Sequence, residues 1–181
     1  MDNGASSYRR YLNGDEEAFR QIVKEYFDNL VFFIDRYVHD YAAAEDIAID
    51  AFTELIVHKH RYNFKVSLKT YLFMIGRSRA LDYIKHRGKL QMVELTEAEA
   101  AEGTSLEEIV LADQRKRAVH AAIGQLSEEL RIAVHLVYFE QLSCDEAASV
   151  MKKNRKQVYN LLYRAKNALR TILGEEGELL L

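Results

Sequence analysis

Proline is missing from all 181 residues, tryptophan is missing too, and there are only one cysteine and eight glycines. A chain that omits the strongest helix breaker, and carries less glycine than the usual ~7%, reads as mostly helical. Cys144 has no second cysteine to pair with, which excludes a disulfide-built scaffold. Long apolar runs are missing as well: the longest, 30–34 and 71–75, are five residues each, far below the ~18 that suggest a membrane span. The opening Met1 to Ser7 has neither a basic start nor an apolar stretch, so it does not read as a signal peptide. No membrane insertion and a cytoplasmic location are therefore expected. What is present suffices for a core, with 49% of residues hydrophobic and 29% charged. At about 150 residues per domain the length allows one ordinary domain or two small ones.

The formal net charge of -3 conceals a strong alternation. Residues 1–57 hold 5 basic and 12 acidic side chains, 58–89 hold 9 and 1, 90–142 hold 4 and 10, and 143–174 hold 7 and 2. A solvated helix face would account for any single block. Two separate basic blocks, each beside a predicted helix, point instead to two surfaces facing one polyanion, with the acidic blocks facing something else.

Apolar residues at 19, 22, 23, 26, 27, 30, 31, 34 and 38 form a helical stripe that begins near Asp15, with Asn13 and Glu16 as a capping box. A second helix is expected from Ala43 to about His58, burying Ile47, Ala51, Phe52, Leu55 and Ile56. A third is expected from Leu68 to about Arg87, with Leu68, Leu72, Ile75 and Ile84 inward and Gly88 as its stop. The stretch from Gly88 to 112 is acidic and poor in aromatics, and reads as a linker with a short helix near 106–111. Four more helices follow, at Gln114–Gln125, Glu128–Phe139, Asp145–Met151 and Arg155–Leu173. The expected architecture is all-α: a helical domain over 8–88, an acidic extended tether over 89–112, a second domain over 113–174, and a tail at 175–181.

Ser143 with Glu146 and Asn154 with Gln157 are two capping boxes eleven residues apart. They force a helix of about eight residues, a turn over Lys152 to Asn154 and a longer helix, which is helix-turn-helix spacing. The longer helix buries Val158, Leu161, Leu162, Ala165 and Leu169 and turns Arg155, Lys156, Gln157, Tyr159, Asn160, Tyr163 and Arg164 outward. Laid in a major groove, its first two turns place Arg155, Lys156 and Asn160 nearest the base edges, where Arg pairs with guanine and Asn with adenine. Residues 126–170, with Leu126-Ser127 opening one helix, Leu142-Ser143 and an acidic pair opening the next, and Arg164-Ala165 in the last, resemble the domain of bacterial extracytoplasmic-function sigma factors that reads the promoter minus-35 element. Ser127 replaces the family's usual proline, and Lys152-Lys153 replace a glycine and an apolar residue in the turn.

Residues 13–34, 43–55 and 67–89, in that order, are similar to the same family's minus-10-binding, polymerase-docking domain, with Ile49, Tyr71 and Ser78 standing where Gln, Trp and Asn are common. Asp46, Asp50 and Glu54 recur every four residues, a like-charge stripe costing a few tenths of a kcal/mol per pair in an isolated helix. Such a stripe is cheap as solvated decoration and equally suits docking to a basic partner. The resemblance implies that partner: the clamp helices of the largest subunit of core RNA polymerase, with Phe52 and Leu55 adding apolar contact. Residues 58–89 interleave Lys59, Arg61, Lys65, Lys69 and Arg77 with Tyr62, Phe64, Tyr71, Phe73 and Tyr83. Tyr71 and Tyr83 are expected in the core; the remaining pattern of cations and rings is what melted DNA requires. The resemblance places a flipped base at the loop 60–67, around Asn63, and a polar contact near Ser78. It further implies the polymerase's upstream-element flap and an anti-sigma factor as partners.

Catalytic chemistry is not in evidence in the sequence. Asp35 with His39 and Glu54 with His58 lack the Glu-x-x-His of di-iron bundles, His58 and His60 lack further ligands nearby, and no phosphate loop or nucleophile elbow occurs. No cofactor and no enzyme activity are expected. Three readings remain: a sigma subunit that directs polymerase to promoters and helps melt them, a stand-alone helix-turn-helix regulator, and a helical adaptor for acidic proteins. Opening about ten base-pair steps costs on the order of 14 kcal/mol at roughly 1.4 each, which a few stacks at ~1–3 kcal/mol per base do not cover. Melting therefore requires polymerase contacts.

Overall fold

The computed structural model describes residues 4–91 and 114–173, which are helical with no strand among them. They form two compact units, one made mainly of 4–91 and one mainly of 114–173. Of the tether expected over 89–112, residues 89–91 belong instead to the helix that starts at Leu68; 92–112, its short helix and the tail 175–181 lie outside the described residues.

The first unit contains α1 (Ala5–Leu12), α2 (Glu16–Val38), α3 (Tyr41–Val57) and α4 (Leu68–Gln91). Ile22, Leu30 and Ile34 of α2, Ala48, Ala51 and Leu55 of α3, and Leu68, Leu72 and Phe73 of α4 are buried together, each large side chain contributing about 1.5–3 kcal/mol of transfer free energy. Phe33 packs on Phe73 with ring centroids 4.8 Å apart. Gly76 lets α4 close on α2, since a Cβ there would meet Leu30 Cδ1 at 2.9 Å.

Several local expectations are corrected. The cap of α2 is Asp15, whose Oδ1 accepts from the Ala18 N–H at 3.1 Å while Arg10 grips the other oxygen at 2.6 Å. Asn13 is already occupied as the cap of the preceding α1, a helix the stripe beginning near Asp15 did not include. Helix α3 starts at Tyr41, two residues early, because Asp40 caps it through the Ala43 N–H. Gly88 does not stop α4; its φ is not positive, so no left-handed cap forms there and the glycine only weakens the helix by about 1 kcal/mol. Ile56 and Ile84 are exposed rather than inward, and Tyr71 and Tyr83 are half-buried. Tyr62 and Phe73 take the core positions instead.

The second unit contains α5 (Gln114–Gly124), α6 (Glu128–Val134), α7 (Cys144–Met151) and α8 (Arg155–Leu173). The single helix expected over Glu128–Phe139 changes at His135 into a π-helical turn, His135–Phe139. The wide turn closes through the Glu140 N–H on the His135 carbonyl at 3.0 Å and brings the buried His135 Nε2 to 3.2 Å from Glu140 Oε1.

Candidate nucleic-acid interface and docking face

Both capping boxes of the helix-turn-helix are formed. Ser143 and Glu146 exchange bonds, the Glu146 N–H donating to Ser143 Oγ at 3.2 Å and the Ser143 N–H to Glu146 Oε2 at 3.0 Å. The Gln157 N–H donates to Asn154 Oδ1 at 2.9 Å and the Asn154 N–H to Gln157 Oε1 at 2.8 Å. Between them Lys152 takes a left-handed φ of 54°, and the Lys153 N–H closes on the Ala148 carbonyl at 2.9 Å. That is the six-to-one bond of a helix stop usually made by glycine. Lys153 Nζ then reaches Glu129 at 2.6 Å.

Val158, Leu161, Ala165 and Leu169 are buried, whereas Leu162 is only half-buried. Arg155, Lys156, Gln157, Tyr159, Asn160, Tyr163 and Arg164 are all exposed, Tyr163 to 69%. Arg155 lies 3.4 Å from Asp145 and 5.6 Å from the Tyr159 ring centroid. Its guanidinium is therefore aimed along the helix surface. Gln157 has its side-chain oxygen committed to the cap, leaving its amide NH2 outward.

The second candidate surface is the loop 58–67 and the start of α4. Ser67 caps α4, its Oγ accepting from the Thr70 N–H at 3.0 Å. Asn63 Oδ1 accepts from the Lys65 N–H at 3.1 Å, a local turn that spans Phe64. Phe64 has φ 62°, a conformation costing a bulky residue about 1–3 kcal/mol and concentrated at functional sites. Tyr62, expected to meet DNA, is 3% exposed: its hydroxyl donates to the Val66 carbonyl at 2.7 Å and its ring meets Phe64 and Tyr71 at 4.6 and 5.0 Å. It supports the loop from beneath. Lys59, Arg61, Asn63, Lys65 and Ser78 are exposed, and Phe64, Lys69 and Arg77 are half-buried.

Along α3, Asp46 and Asp50 face solvent. Glu54 is drawn inward between Arg79 at 2.8 Å and Arg61 at 3.2 Å, and Arg79 also approaches Asp50 at 3.4 Å. Phe52 and Leu55, expected on this face, are 5% and 2% exposed and belong to the core. The apolar residues that share the outer face with the aspartates are Ile49, Ile56 and Val57.

Comparison with known proteins places two family models on these units: Sigma-70 region 2 over residues 22–90 and Sigma-70, region 4 over 116–169. The RNA polymerase sigma-H factor of Pseudomonas aeruginosa is 31% identical over 170 residues, 88% of each chain. The chain belongs to the extracytoplasmic-function sigma factors. The sigma-E factor of Escherichia coli K12 is 27% identical to this sigma factor over the same share of both chains. Two solved structures share its fold, each with a TM-score of 0.65. One is the sigma factor RpoE with the anti-sigma factor NepR from Bartonella quintana (20% identity, 87% of this chain and 97% of that one). The other is CnrH with the cytosolic domain of CnrY (19% identity, 95% and 97%). As a sigma factor the protein acts in transcription initiation.

Helix α1 precedes the region 2 match and lies ahead of the first helix expected from the apolar stripe. The available signal was Gly4 followed by Tyr8 and Tyr11, small and aromatic residues at helical spacing. Gly4 has φ 80°, and a Cβ there would meet Tyr26 Oη at 2.9 Å and Leu68 Cβ at 3.0 Å. Among the described residues no His, Cys, Asp and Glu cluster could hold a metal, and no helix is long and apolar enough to cross a membrane.

Proposed function

We propose that this sigma factor binds core RNA polymerase through the outer face of α3, reads a minus-35 element with α8, and holds the melted minus-10 strand at the loop 58–67 and the start of α4. The observation that carries the reading is α8: seven polar, basic or aromatic side chains stand exposed on a helix whose start is fixed by a reciprocal cap. On α3 the docking charge is Asp46 and Asp50, with Glu54 joining Arg61 and Arg79, and Ile49, Ile56 and Val57 supply the apolar contact in place of Phe52 and Leu55. The complementary partner surface is basic with apolar side chains interspersed, as expected for polymerase clamp helices. The sigma factor solved with the anti-sigma factor NepR supports an anti-sigma factor as a partner of this chain, and the upstream-element flap is a further proposed polymerase contact.

The test is run-off transcription with core polymerase and a promoter library. The expected result is transcription from a narrow promoter set that requires both proteins, with weak DNA binding by the free sigma factor. Tight specific duplex binding without polymerase would favour a stand-alone regulator, and absence of DNA from any complex would favour an adaptor.

A further inference from the structure

The loop 58–67 is held by the first helix. Tyr8 is fully buried beneath it: its hydroxyl lies 3.0 Å from the carbonyls of both Leu55 and Lys59, which share its one proton. Burial pushes this phenol up to about 12, so it stays a donor at any physiological pH. The Tyr8 ring meets Tyr62 edge-on at 5.5 Å and Phe64 at 6.3 Å. Lys59, from the loop, reaches back over Tyr11 at 4.7 Å. The exposed Arg9 carries its guanidinium over the Phe64 ring, 4.8 Å from its centroid. Phe64 is the residue whose left-handed backbone is kept in place by the Asn63 turn.

We propose that Arg9 is a DNA-contacting residue of the single-strand site, its guanidinium plane seated on Phe64 as the platform for an unstacked base, and that Tyr8 is the positioning residue that holds the loop beneath it. A base arriving at the solvent side of Phe64 meets the guanidinium that covers that ring. A guanidinium stacks on bases as an aromatic ring does and also attracts the adjoining phosphate, whereas a lysine ammonium offers charge without a plane. The strain at Phe64 fits this arrangement, because it presents the ring to Arg9 rather than burying it. The inference rests on the reading of the loop 58–67 as a single-strand site.

The experiment uses holoenzyme assembled from core polymerase and the full chain. Its probe is a promoter selected by the parental holoenzyme, prepared once as closed duplex and once with a mismatched, pre-melted minus-10 bubble. The readout is the ratio of bubble to duplex affinity. Arg9→Ala should lower that ratio at least about fivefold, the low end of a stack worth ~1–3 kcal/mol, and Arg9→Lys should restore less than half of the loss on a logarithmic scale. Tyr8→Phe keeps the ring and removes the shared bond; it should lower the ratio while duplex affinity and core affinity stay at the parental level. A merely structural Tyr8 would lower melting temperature and both DNA affinities together, which would overturn its positioning role. Phe64→Ala tests the underlying reading. If Phe64→Ala lowers the ratio and Arg9→Ala does not, the Arg9 assignment fails and the loop reading stands. If neither moves it, both fail.

Discussion

Most cations around the loop of the first unit sit on partners, while most of those on α8 of the second face solvent. Arg61 and Arg79 grip Glu54, Lys59 lies over Tyr11 and Arg9 over Phe64. On α8, Lys156 and Arg164 make no ion pair among the described residues, and only Arg155 is steered, by Asp145 and Tyr159. The difference fits the two kinds of work proposed for these surfaces. Holding a base outside its stack needs a preformed geometry, because every side chain ordered on binding subtracts about 0.5–1.5 kcal/mol from affinity. Following a duplex groove tolerates mobile cations, since much of that binding is counterion release along phosphates.

The largest expected effect lies in the core of α3, in the first unit. If Phe52 is structural, Phe52→Ala should cost about 3–5 kcal/mol of stability, seen as a large drop in the melting temperature of the first unit. A variant that melts like the parent but no longer binds core polymerase would return Phe52 to the docking face. Next in size is the charge reversal Asp46→Lys with Asp50→Lys. Both side chains are exposed, so stability should stay within about 0.5 kcal/mol. Affinity for core polymerase should fall at least about tenfold, since like charges then meet across the interface. Unaltered binding would remove α3 as the docking helix.

What could be read from the sequence follows the same division. The bounds of α8, both capping boxes and all the outward residues of α8 are local properties, set by spacing within a few turns, and they were legible. The first unit depends on long-range packing. Tyr62, Phe64 and Tyr71 are alike in composition and adjacent to cations, and which of them is enclosed depends on packing that includes Tyr8, which reaches both Tyr62 and Phe64 from α1. Phe52 and Leu55 fall on the inner side of a helix whose charged stripe starts one step away. The stripe fixes which residues are acidic, but burial depends on where α2 and α4 pack. The π-turn at His135 was equally hidden, because it needs one more residue per turn than the helical period supplies.

The exposed helix of the second unit can be probed by substitution without disturbing its core. Asn160→Ala should change preference at one or two minus-35 bases, with a cost of about 1–3 kcal/mol for the lost base contact. Arg155→Ala should also change preference, at its own position. Arg164→Ala should instead weaken all sequences alike and reduce the salt slope by about one unit. Holoenzyme transcription from a randomised upstream element, read by sequencing, separates these outcomes. Parental preference in both the Arg155 and Asn160 variants would mean that α8 does not read bases with these side chains.

The smallest expected effect concerns the turn that aims this helix. Lys152 holds φ 54° at the glycine position of the helix stop, with the Lys153 N–H already bonded to Ala148. A left-handed L-residue costs roughly 1–2 kcal/mol, and glycine removes that cost while loosening the unfolded chain by about 0.4–1 kcal/mol. Lys152→Gly should therefore stabilise the second unit by about 0.5–1 kcal/mol, a rise of a few degrees in its melting temperature. Because the hydrogen bond that closes the turn already has glycine-type geometry, α8 should keep its angle and the parental minus-35 preference should persist. A stabilised variant with altered preference would mean that the Lys152 side chain itself helps to set the helix in the groove. A destabilised one would mean that the lysine makes a compensating interaction worth more than its backbone strain.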